Sequence, residues 1–116
     1  MENENSLDDM TYLGNAKYGV KVERESLKRC EMFANNIEKL ALSTLELVIT
    51  KDQCYNKLTI YGHGKGNIQM DEAKRKALQS YLFNVYLVEE VEKVWDQVVK
   101  KLNDKIRAIR NKKYKI

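Results

Sequence analysis

Apolar residues recur along most of this chain at intervals of three, four and seven. Phe33, Leu40, Leu47, Cys54 and Tyr61 stand seven apart, as do Leu27, Ala34, Ala41, Val48 and Tyr55. A third, more broken row runs through Cys30, Ile37, Thr44, Lys51 and Leu58. Three rows per heptad make the broad stripe of a core-facing helix. The pattern resumes further on with Tyr81, Val88, Trp95, Leu102 and Ile109. A companion row holds Leu78, Val85, Val99 and Ile106, and Ala77, Val91 and Val98 widen it.

Between the two stretches lies Gly62-His63-Gly64-Lys65-Gly66-Asn67, with three of the chain's five glycines and its only histidine. Glycines this dense mark a turn. The pattern therefore predicts two helices, over about 26–61 and 70–111, folded as a long antiparallel hairpin. At 1.5 Å per residue each is roughly 55–60 Å long. Ser26 is the expected N-cap of the first, and Asp71 and Glu72 suit the start of the second. No proline interrupts either.

Helices of this length are unusual, and two alternatives follow. Asn35-Asn36 or Asn84 is a candidate break. Residues 58–61 and 68–70 are alternatively the short strands of a β-hairpin around the glycine loop. Residues 1–25 form a less regular arm beside a helical unit of 26–116. Within the arm, Ser6 is placed to cap a short helix over Leu7–Leu13, Gly14-Asn15 to end it, and Tyr18, Val20 and Val22 alternate as in a strand.

A stripe this wide is not covered by one hairpin. The expected assembly is an all-α homo-oligomeric helix bundle, a dimer or higher, joined through Phe33, Ile37, Leu40, Leu47, Val88, Trp95 and Leu102. Lys51 and Glu92 are polar positions within the seam, placed either to set register or to reach out to its edge.

The 116 residues suit a single domain, with a net charge of +4. Lysine, asparagine and tyrosine are all abundant, a bias that AT-rich coding also produces, so basicity alone is weak support for nucleic acid. No apolar run is long enough to span a bilayer. The acidic N-terminus is unlike a signal peptide, so the expected location is cytoplasmic with no membrane contact. The two cysteines, Cys30 and Cys54, would sit about 36 Å apart on an unbroken helix, too far for a disulfide. They read as structural thiols.

Candidate chemistry is concentrated at two places. His63, Lys65, Lys74, Arg75 and Lys76 surround the glycine loop and the start of the second helix, where free backbone N–H groups favour anions. The spacing is not that of a Walker loop. The tail carries Lys100, Lys101, Lys105, Arg107, Arg110, Lys112, Lys113 and Lys115 against Asp104 alone. This is a footprint for phosphate backbones, with Tyr114 available for stacking. An antiparallel return would set this tail beside the acidic residues of 1–30, which would partly neutralise it. Glu89, Glu92 and Asp96 share one helical face, the spacing on which a helical nucleotide hydrolase would rest. No nucleophile–base pair, metal cluster or cofactor motif emerges.

The expected function is a small non-enzymatic regulatory protein that self-associates. It would bind an anionic ligand, nucleic acid at the tail or nucleotide at the tip. The alternative is an adaptor or inhibitor of the mobile-element accessory type, which docks an apolar helix strip on a protein partner. The helical nucleotide hydrolase stands third.

Overall fold

Where the sequence predicts one long first helix, capping residues cut the chain twice, leaving three helices. The computed structural model describes residues 9–113. Helix α1 spans Arg24–Phe33, α2 Ile37–Leu45 and α3 Lys51–Tyr55. Asn36 is extended, and its Oδ1 accepts from Lys39 N at 2.8 Å, which starts α2 afresh. Thr50 and Gln53 form a reciprocal capping box at the head of α3. Thr50 Oγ1 accepts from Gln53 N at 3.2 Å, and Gln53 Oε1 accepts from Thr50 N at 2.9 Å. The Asn35-Asn36 break is therefore present. Ser26 is not the N-cap of α1, because Glu23 holds that position and Ser26 Oγ donates to the Glu23 carboxylate at 2.7 Å.

The second stretch divides once. Helix α4 spans Glu72–Val85 and α5 spans Val88–Lys113. Asp71 caps α4, accepting from Ala73 N at 3.0 Å. The helix passes through Asn84 and ends at Tyr86, which is extended. The longest dimension of the molecule is 47 Å, shorter than either unbroken rod would require.

Two small ladders correct the expectation of a purely helical chain. Strand β1 (Met10–Tyr12) pairs antiparallel with β2 (Lys21–Glu23). A 3₁₀ turn at Ala16–Tyr18 lies between them. A strand therefore stands where the tail of the Leu7–Leu13 helix was expected, while Ser6 and Leu7 lie outside the described residues. Strands β3 (Leu58–Thr59) and β4 (Ile68–Gln69) flank the glycine loop. Their pairing is parallel, so the intervening loop climbs back to its starting level instead of reversing.

One core serves all these elements. Helix α2 packs against α1, α4 and α5, and α5 also covers α3 and β3. Leu40, Ala41, Leu45, Leu78, Leu82, Val91, Val98, Leu102 and Ile106 are buried, and Leu13 and Val22 of the arm join them. Thr44 is the buried polar residue of this core, its hydroxyl turned onto the Leu40 carbonyl at 2.8 Å.

Tyr81 reaches from this core to donate to Glu31 at 2.5 Å. Burial, then the neighbouring Glu31 carboxylate, holds its phenol well above the ordinary tyrosine range. The folded state thus keeps Tyr81 protonated where the unfolded chain ionises it, near pH 10. That stability is complete below about pH 10 and is lost as pH rises further. Tyr81→Phe should flatten the alkaline fall in thermal midpoint and cost about 1 kcal/mol at neutral pH. Melting followed by circular dichroism against pH checks both.

Candidate functional site

The glycine loop docks on α5 through two side chains eight residues apart. Asn103 Oδ1 accepts from Ile60 N at 2.9 Å, and Trp95 Nε1 donates to Tyr61 Oη at 2.8 Å. Within the loop, Thr59 Oγ1 accepts from Gly62 N at 2.8 Å. Gly62 has φ 73°, a conformation that L side chains avoid. Asn67 closes the far side by donating to the His63 carbonyl. The parallel ladder supplies the frame, with Ile68 N bonded to the Lys57 carbonyl and Met70 N to that of Thr59.

This docking brings together what the sequence set apart. Leu58, Thr59 and Asn67 on the loop side meet Asn103, Arg107 and Arg110 on α5 around a cavity of about 100 Å³. Two unbroken rods would have put the glycine tip at one end and the basic tail at the other. Here the breaks in the first stretch fold the loop onto the middle of α5. Among the described residues α5 contacts α2, α3, α4 and β3, while Glu2, Glu4 and Asp8, three of the acidic residues expected beside the tail, lie outside them.

The basic residues divide sharply by engagement. At the tip, Arg75 is committed, its guanidinium 4.8 Å from the Tyr61 ring centroid and 3.4 Å from Glu72. Lys76 shares Glu72 at 3.3 Å. His63 and Lys65 are exposed on the loop, Lys74 is half-buried in the first turn of α4, and none of the three borders the cavity. Along α5, Lys105 pairs with Glu46 at 2.7 Å and also reaches the Leu42 carbonyl. Arg107 pairs with Asp104 at 3.0 Å, both well exposed. Arg110 is half-buried and has no hydrogen bond or ion pair among the described residues. Lys100 and Lys101 are exposed, and Lys112 borders a separate groove. The Lys113 side chain and Lys115 lie outside the described residues, as does Tyr114.

That groove is larger, about 490 Å³, and runs between α3 and the end of α5. Its walls are Ile49, Cys54 and Ile109 with Lys51, Lys112 and Glu46 at the rim. Glu46 is taken by Lys105, so Lys51 and Lys112 are the charged groups left beside this apolar trough. Burial raises the Cys54 thiol and Arg110 opposes the shift; burial and then Glu46 raise that of Cys30. Both thiols are neutral at physiological pH and poor nucleophiles.

The remaining candidates scatter. Glu89, Glu92 and Asp96 are exposed on α5. Among the described residues no group of three acidic, histidine or cysteine side chains converges as a metal site. Of the residues expected at an oligomer interface, Leu40 and Leu102 are buried in the core of a single copy. Ile37, Leu47 and Trp95 pack against that core, and only Phe33 and Val88 stay exposed. Lys51 and Glu92 both face solvent. Periodicity could not mark Thr59, Asn67 and Asn103 as part of the site, because polar residues leave no trace in an apolar repeat.

Among the described residues no helix is long and apolar enough to cross a membrane. No family model matches the chain, and no curated protein shows significant sequence similarity to it.

Proposed function

We propose that this protein is a non-enzymatic nucleic-acid-binding module that holds phosphate groups where the glycine loop meets α5. One observation carries the reading: the loop residues Thr59 and Asn67 share a cavity with Arg107 and Arg110. Loop donors beside a pair of arginines form the general arrangement for phosphate recognition. Lys100 and Lys101 extend basic charge further along the same helix. Phosphate contacts of this kind hold a strand without reading its sequence.

A second reading draws on a different surface. Met32, Phe33 and Leu87 are 75%, 77% and 67% exposed, far more than large apolar side chains usually are in a finished monomer. They support self-association, as in the expected oligomer, or docking of a protein partner.

Salt separates the two. For about five phosphate contacts, affinity for a single-stranded oligonucleotide should fall roughly 10²-fold between 50 and 200 mM salt. Joint Arg107→Ala and Arg110→Ala substitution should flatten the log–log slope by about 1–2. Fluorescence anisotropy across a salt series measures both. An oligonucleotide affinity independent of salt overturns the phosphate reading. Association that persists at high salt belongs to the apolar surface.

A further inference from the structure

The cavity between the loop and α5 has a wall with spare hydrogen-bond donors and no spare carboxylate. Asn103 must present Oδ1 to Ile60 N, a pure donor, so its Nδ2 hydrogens are left for another partner. Thr59 Oγ1 accepts from Gly62 N, which leaves the hydroxyl hydrogen to give. Arg110 brings a half-buried guanidinium with no ion pair or hydrogen bond among the described residues. A cation held this way keeps only part of its hydration and has no counter-charge among the described residues. Arg107 has a partner in Asp104, but that pair is solvent-exposed and contributes little, so an incoming anion can compete for it.

We propose that this cavity is a subsite for one phosphate monoester, the terminal phosphate of a nucleic-acid strand or nucleotide. At about 100 Å³ it has room for one tetrahedral oxyanion. Two guanidiniums in one cavity match the charge of a monoester, about −1.5 to −2, better than the single charge of an internal diester. A monoester also presents three non-bridging oxygens. The assignment rests on the phosphate-binding reading above and narrows it to strand ends.

The test compares a 5′-phosphorylated oligonucleotide with its 5′-hydroxyl twin, each labelled at the 3′ end, by fluorescence anisotropy at one salt concentration. Inorganic phosphate and a nucleoside monophosphate serve as competitors. The phosphorylated strand should bind roughly tenfold tighter, the size expected of a charge-assisted contact. Arg110→Gln should abolish the advantage, and it should weaken the 5′-hydroxyl strand by less than the phosphorylated one. If that variant unfolds, Arg107→Gln, on the exposed side, should reduce the same advantage. Trp95 is the chain's only tryptophan and is bonded to the loop, so its fluorescence should change with phosphate. Equal affinity for the two strands overturns the monoester subsite while leaving general phosphate binding intact. Capture of inorganic phosphate that Arg110→Gln abolishes, without binding of either strand, upholds the subsite and removes the nucleic-acid reading. Binding of none of these ligands removes both.

Discussion

Gly14→Ala is expected to lower the unfolding free energy by about 2–5 kcal/mol, measured by urea titration. Gly14 has φ 68°, where an alanine already costs about 1–2 kcal/mol. The added Cβ would also lie 2.1 Å from Ser80 Oγ, 2.3 Å from the Ala77 carbonyl and 2.9 Å from Tyr81 N. Two of these are backbone atoms of α4 and cannot rotate away. Relief requires lifting the arm off α4, which would uncover Leu13 and break the bond from Asn15 N to Ser80 Oγ at 2.8 Å. Gly19 is the control: it shares φ 68°, but a Cβ there meets nothing within 4 Å. Gly19→Ala should lose only the conformational part, about 1–2 kcal/mol. Equal losses at the two positions would show that the close approach of arm to helix is not what Gly14 serves.

Leu102→Ala carries the second large effect, a loss of about 2–5 kcal/mol from the cavity it would leave. Leu102 is 1% exposed on the side of α5 that faces the core. Because this burial is complete within one copy, the loss should be the same in dilute and concentrated protein. A loss that shrinks as concentration rises would return Leu102 to an interface between copies. Val88, in the same heptad row but 47% exposed, should tolerate alanine within about 0.5 kcal/mol.

The contrast between Leu102 and Val88 shows how far the apolar repeat could be read. It located helical segments well, since most positions it marked are buried or pack on the core. It overstated their length, because a heptad row continues across a break that keeps the phase. Leu40 and Leu47 remain in one row although α2 ends at Leu45, and Tyr81 and Val88 do so across the extended Tyr86. The breaks were signalled locally by Asn36 and by Thr50 with Gln53. A cap of this kind contributes only about 1 kcal/mol, yet it decides where the chain changes direction. The β3–β4 ladder was legible as an alternative, but as a hairpin and not in its parallel sense.

Local spacing by itself determined a largely helical chain, the glycine turn near residue 62, the Asp71 start of α4 and a basic final helix. Only the tertiary structure decided which charges remain available. It committed Arg75 to Tyr61 and Lys105 to Glu46, and it brought Asn67 to Arg107 and Arg110. The physical reason is that periodicity reports how one helix meets a core. Which polar groups meet each other depends on the angles at three or four capped breaks, and those angles are set by packing between segments distant in the chain.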